Sequence, residues 1–161
     1  MKLSESPSVA VSTLVLASPE HLWGFVTDIN APAAFSTEFQ GAEWLSDAPH
    51  SVGSTFRGLN QRGDRSWDTT CTVTAWVDET LFTYVVEDFS APVAIWSYAL
   101  NREGQHTRLT YTAIVGPGES GVTRAVASDP ANEDAIVEGR LSLWRTNMVA
   151  TLAGLKGLAE A

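Results

Sequence analysis

The C-terminal end of the chain carries one apolar stripe that the rest of the molecule has to cover. Val137, Leu141, Trp144, Met148, Leu152, Leu155 and Ala159 recur at three- and four-residue steps, which puts them on a single helix face. Arg140, Arg145, Thr151 and Lys156 fall largely off that face. Asp129 and Pro130 precede the pattern, so one helix is predicted from there to the chain end. About 28 residues at ~1.5 Å each would span roughly 42 Å, long enough to cross a whole sheet. A helix of this length with one greasy side must bury it against another layer.

The preceding residues supply that layer. Val9 to Val15 alternate and are rich in β-branched residues, a strand signature. Ser18 reads as an N-cap, with Pro19 at the first helical position and Glu20 in the first turn. Leu22, Trp23, Phe25 and Val26 give this short helix its apolar side, and Asp28, Asn30 and Pro32 break it. Ala33, Ala34 and Phe35 could form one further turn, and Glu43, Trp44 and Leu45 a short strand closed by Asp47 and Pro49. Further strands are expected over about 53–62, 66–77, 81–88, 93–102 and 106–115, separated by turn residues such as Arg62-Gly63-Asp64 and Glu103-Gly104-Gln105. Connections this short imply hairpins and antiparallel pairing. The predicted fold class is α+β, in one domain over residues 1–161.

Strand parity separates two faces. Thr55, Arg57 and Leu59, Thr70, Thr72 and Thr74, Thr83 and Glu87, and Arg108, Thr110 and Thr112 form one side, expected to meet water. The other side presents Phe56, Gly58, Asn60, Trp67, Thr69, Cys71, Val73, Ala75, Phe82, Tyr84, Trp96, Tyr98, Leu109, Tyr111 and Ala113, and the long helix is its cover. A plain sheet-on-helix core would rarely choose so many hydroxyls and an amide, whereas apolar walls with a few polar tips suit a small-molecule site. These polar groups could instead satisfy one another or reach backbone carbonyls. The candidate ligand-binding set is Phe56, Asn60, Trp67, Thr69, Cys71, Phe82, Tyr84, Trp96, Tyr98 and Tyr111 from the sheet, with Trp144 and Met148 from the helix.

The element order, together with the phrases VAVSTLVLASPEHLWGFVTDIN, VGSTFRGLNQRG followed by WDTTCTVT, IWSYAL before HTRLTY, and LWRTNMVATLAGLKGLAE, resembles the SRPBCC superfamily. That superfamily is also called START-like or Bet v 1-like, and the likeness is to its polyketide cyclase/dehydrase and lipid-transport group. The resemblance spans nearly the whole chain. It implies a helix-grip fold, a curved antiparallel sheet around a C-terminal helix with two short helices after the first strand, enclosing a deep cavity. Members of the superfamily bind lipids, sterols, polyketides or plant hormones, and some are aromatase/cyclases or hydrolases. Fold alone does not choose among these.

Charge and chemistry narrow the choice. The net charge is −9, with Lys2 and Lys156 the only lysines, so nucleic acid is not an expected partner. No run approaches the roughly 20 apolar residues of a membrane helix, and no signal-like leader is legible, so no stable membrane insertion and a cytoplasmic setting are expected. The single cysteine, Cys71, reads as a small buried thiol. His21, His50 and His106 all fall off the inner face and read as solvent-facing, which leaves a histidine-based triad without support. Asp88 shares parity with Tyr84 and could reach the pocket mouth as a base, though a carboxylate at a strand end also suits a solvated turn. Asp28 and Glu38, near the expected entrance, read the same way. The stretch Gly116 to Gly121 lacks the phosphate-loop pattern and reads as a flexible connector or pocket lid. No metal or cofactor is expected.

Three functions stay open: a carrier for a small hydrophobic ligand, a cyclase/dehydratase in which Tyr84 or Asp88 takes part, and an interaction module with a vestigial cavity. An exposed patch near the first helix could support a homodimer.

Overall fold

The computed structural model describes residues 1–161. Its elements are β1 (Ser8–Val15), α1 (Pro19–Val26), β2 (Phe39–Trp44), β3 (Thr55–Arg62), β4 (Arg65–Val77), β5 (Leu81–Val86), β6 (Ala94–Glu103), β7 (His106–Val115), α2 (Gly121–Ser128) and α3 (Glu133–Glu160), with a 3-10 turn at Ala31–Ala34. One seven-stranded sheet runs in the order β1-β7-β6-β5-β4-β3-β2, and every pairing is antiparallel. The expected helix-grip architecture is present. No helix is long and apolar enough to cross a membrane.

Local chemistry accounts for most element ends. The Ser18 hydroxyl accepts the His21 N–H and Pro19 occupies the first turn of α1, as its cap pattern predicts. β5 stops at Val86, short of the predicted 88, because Glu87 takes a φ of 66° that a strand cannot continue through. β2 starts four residues earlier than the predicted Glu43, at Phe39, and β3 begins at Thr55 after Gly53, which has a φ of 91°. Residues 122–128, which carried no prediction, form α2 together with Gly121 behind a Ser120 cap.

A bulge in β4 corrects the parity reading. Val73 faces Tyr84 and Ala75 faces Thr83, so Thr74 is the extra residue. Beyond it the faces exchange. Trp76 therefore pairs with Phe82 on the inner side, and Ala75, expected inside, pairs with Thr83 on the outer side.

The stretch after β7 is tied to the connection between β5 and β6. Gly116 N–H donates to the Val93 carbonyl and Gly118 N–H to the Pro92 carbonyl, both at 2.9 Å. A Cβ at Gly116 would lie 1.9 Å from the Pro92 oxygen, and one at Gly118 would lie 2.4 Å from the Ala91 oxygen. Glycine is needed here for close backbone approach, not for conformational freedom.

The helix α3 is held from two sides. It packs on β1 and α1, and more lightly on β7 and the 3-10 turn. Its apolar stripe is buried as predicted, from Val137 to Ala159. At the β1 side, Lys156 Nζ donates to the Leu14 carbonyl at 2.7 Å and Leu16 N–H to Glu160 at 2.8 Å. On the opposite side Phe35 lies against Gly154, and Thr37 N–H donates to Asn147 Oδ1 at 3.1 Å. Gly116→Ala is expected to destabilise the fold by about 1–3 kcal/mol through overpacking. Gly157→Ala, whose Cβ would meet nothing within 4 Å, should stabilise by about 0.5–1 kcal/mol through helix propensity. Urea denaturation of the two variants checks the pair.

Candidate functional site

The curved inner face and α3 enclose a cavity of about 170 Å³. Every member of the predicted ligand set borders it: Phe56 and Asn60 on β3, Trp67, Thr69 and Cys71 on β4, Phe82 and Tyr84 on β5, Trp96 and Tyr98 on β6, Tyr111 on β7, and Trp144 and Met148 on α3. Register explains the assembly. Tyr98 stands directly across from Phe82 on one side and Tyr111 on the other. The Tyr98 and Tyr111 rings stack at 4.0 Å with 10° between their planes. Trp96 bridges to the helix, with its ring 4.9 Å from that of Trp144.

A second aromatic layer lies behind Phe56 and Phe82. Trp76 packs on Phe82 at 5.1 Å, Trp44 on Phe56 at 5.4 Å, and His50 stacks on Trp76 at 5.3 Å with 14° between the planes. His50 is thus exposed on one side yet packed as an aromatic plate on the other. His21 also has a structural contact, with Nε2 3.1 Å from the Ala159 carbonyl. Trp76 was missed because the alternation rule cannot register a bulge; no pattern in the strand itself announces one.

The polar groups at the cavity are unevenly satisfied. Tyr98 Oη is buried and meets no hydrogen-bond partner. Burial raises the Tyr98 and Tyr84 phenols well above their usual range, and neighbouring Tyr111 adds to both effects. Burial also pushes Tyr111 up to about 12. The Cys71 thiol is likewise pushed up to about 12 by burial, so it is a neutral wall group and not a nucleophile.

Glu38 corrects the expectation of a solvated carboxylate. It is buried at 8% exposure, and its two oxygens accept from Arg140 Nη1 at 3.0 Å and Nη2 at 2.9 Å. Such a bidentate fork is the strong form of the pair. Arg140 also lies over the Trp144 ring, 5.3 Å from its centroid. Both residues border the cavity, as does Thr151, which is 2% exposed with its hydroxyl donating to the Asn147 carbonyl at 2.8 Å. Arg140 and Thr151 were expected off the apolar stripe. They flank it, and the loop before β2 closes over them.

Asp88 does not reach the cavity. With β5 ended at Val86, its Oδ1 accepts from the Ser90 N–H at 2.9 Å and hydroxyl at 2.8 Å. These bonds hold its carboxyl below the usual carboxylate range. It is an exposed turn former that borders the wider depression beside the cavity and not the cavity itself.

Two outcomes are expected. Glu38→Gln, which leaves Arg140 without its counter-charge, should cost about 2 kcal/mol in urea denaturation, a buried-pair value discounted because Arg140 reaches water in part. All three tyrosines of the chain line this cavity and have raised phenol pKa values. The folded state therefore favours the neutral phenols. Their stabilising effect is complete below the ordinary tyrosine value near 10 and is lost as pH rises from there through the folded-state values. Tyrosinate absorbance should then be absent from the native protein at about pH 10.5 and appear together with unfolding at higher pH.

A family model described as polyketide cyclase / dehydrase and lipid transport matches residues 6–160. No curated protein matches the chain in sequence. Among solved structures, a polyketide-cyclase-like protein of Corynebacterium glutamicum superposes with a TM-score of 0.71 at 22% identity, covering 96% of this chain and 92% of that one. The Zhui aromatase/cyclase of Streptomyces sp. R1128 gives 0.69 at 15% identity, covering 96% and 93%. A major latex-like protein of Panax ginseng gives 0.64 at 10% identity, covering 97% and 99%. At these identities the structural likeness concerns the fold.

Proposed function

Because the chain belongs to the polyketide cyclase / dehydrase and lipid transport family, we propose that it binds a small, largely apolar molecule carrying at least one oxygen in the cavity beneath α3. The observation that carries this reading is Tyr98 Oη, buried at the cavity with no partner. An unsatisfied buried hydroxyl costs about 1–3 kcal/mol, and a ligand carbonyl or hydroxyl would recover it. The phenol, kept neutral by burial, is available as a donor.

Size narrows the ligand. A cavity of about 170 Å³ is close to the roughly 150 Å³ apolar void that accepts benzene in another protein. The enclosed space therefore suits a ring-sized body. Phe56, Trp67, Cys71, Phe82, Trp96, Trp144 and Met148 would form its apolar walls. Asn60, Thr69, Tyr84 and Tyr111 would offer further hydrogen bonds around the edge, the composition expected of a ligand pocket.

One observation supports a cyclase-type reading of the same site. Three phenols that stay protonated could stabilise an enolate oxygen as donors. The carboxylates at the cavity are engaged elsewhere: Glu38 is held by Arg140, and exposed Asp28 accepts the Asn30 N–H. Such an enzyme would work by donor placement and chain shaping, without a carboxylate base. Binding is the reading that needs fewer groups.

Tyr98→Phe tests it. Removing the orphan hydroxyl should stabilise the ligand-free protein by about 1 kcal/mol. It should also weaken acetophenone binding about five- to tenfold in calorimetry or ligand-observed NMR, corresponding to the loss of one hydrogen bond. Ethylbenzene, lacking the oxygen, should bind both proteins alike. Equal losses for the two ligands, or no loss for the ketone, would overturn the assignment of Tyr98 as the oxygen anchor.

A further inference from the structure

The walls of the cavity are fastened unequally. Strands β2 to β7 and helices α1 and α3 border it with backbone held in ladders or helix turns. Two connections border it as well: the segment from Asp28 to Glu38, and Val93 between β5 and β6. The second is tied backbone to backbone. Val93 N–H donates to the Val86 carbonyl, and the Val93 and Pro92 carbonyls accept from Gly116 and Gly118, all at 2.9 Å.

The first connection is held differently. Its ends are anchored: Asn30 Oδ1 accepts the Ala42 N–H at 2.8 Å, and the Glu38 carbonyl accepts the Gln61 N–H at 2.9 Å. Ile29 and Glu38 are buried, whereas none of residues 31–37 is. Over residues 31–37 the backbone-to-backbone hydrogen bonds stay inside the segment, at Ala31, Ala33, Phe35 and Ser36. Side-chain contacts fasten this middle part to α3. Phe35 fills a notch at Gly154, and Thr37 donates both its N–H and its hydroxyl to Asn147 Oδ1 at 3.1 Å. A Cβ at Gly154 would lie 2.3 Å from Phe35 Cζ, and its three nearest neighbours are all atoms of that ring.

We propose that residues 31–37 form a strap that lifts from α3 between its anchors at Asn30 and Glu38 and admits small molecules to the cavity. Pro32 and Ser36 on the strap, and Asn147 and Thr151 on the helix, border the cavity on the two sides of this seam. Releasing Phe35 and Thr37 parts the wall there and leaves the sheet, α3 and the Glu38–Arg140 pair intact. Such an opening costs far less than unfolding the domain. On the binding reading above, the strap is the ligand's way in; its opening does not depend on that reading.

Cys71, the chain's only cysteine, borders the cavity at 4% exposure and so reports the opening with no ligand present. Methyl methanethiosulfonate, a small uncharged thiol reagent, should label it at a rate nearly independent of urea well below the unfolding transition, as a local opening does. Asn147→Ala, which removes both bonds from Thr37, should speed labelling about tenfold. Gly154→Ala, which evicts the Phe35 ring, should do the same by overpacking the closed strap. Asp88→Ala, which frees the β5–β6 connection at Ser90, should leave the rate unchanged. The strap is overturned if labelling follows the full urea slope of unfolding in every protein, if neither release variant speeds it, or if Asp88→Ala speeds it equally. Labelling that meets the expectation but is not slowed by saturating acetophenone would leave the strap standing and overturn the binding reading.

Discussion

The long helix is held at the two margins of the sheet and not across its middle. On one margin α3 packs on β1, with Lys156 reaching the Leu14 carbonyl. On the other, the loop entering β2 grips it through Phe35 at Gly154, Thr37 at Asn147 and Glu38 at Arg140. Strands β1 and β2 are the two edges of the sheet. A helix supported at both edges of a curved sheet leaves the central strands facing a gap, and the cavity is that gap. Side chains of β3 to β7 then line space that a simple layer packing would have filled.

This arrangement also explains why ionic and apolar contacts meet at the entrance. Arg140 spans both environments: its fork is spent on Glu38, its plane rests on Trp144, and it borders both the inner cavity and the wider depression beside it. The pair is a fastening and a wall at once. Breaking it would expose an uncompensated guanidinium inside the mouth, so the fold and the site share this element. The pinned backbone at Gly116 and Gly118 acts similarly on the neighbouring side. It fixes the turn before α2 against Pro92, and α2 borders the depression beside the cavity.

The fold recurs in proteins of bacterial and plant origin at 10–22% identity, which indicates how little of it depends on particular residues. What it requires is a two-faced run of hairpins and a helix with one apolar stripe. The interior can vary freely within those limits. In this chain the interior is three tyrosines and three tryptophans around a small void.

Periodicity made the architecture legible. The stripe from Val137 to Ala159, the Ser18-Pro19 cap and the alternation of β3, β5, β6 and β7 each reflect local geometry, in which a residue's direction follows from its position in a helix or strand. For that reason all twelve residues expected at the cavity border it. What tertiary structure alone decided were the events that local periodicity cannot encode. The Thr74 bulge turned Trp76 inward, Glu87 ended β5 before Asp88 could reach the cavity, and two glycines met Pro92 across the molecule. Glu38 and Arg140, 102 positions apart, became a buried pair. Each depends on contact between distant segments, and a carboxylate's character as solvated, paired or turn-forming is set by what the fold brings beside it.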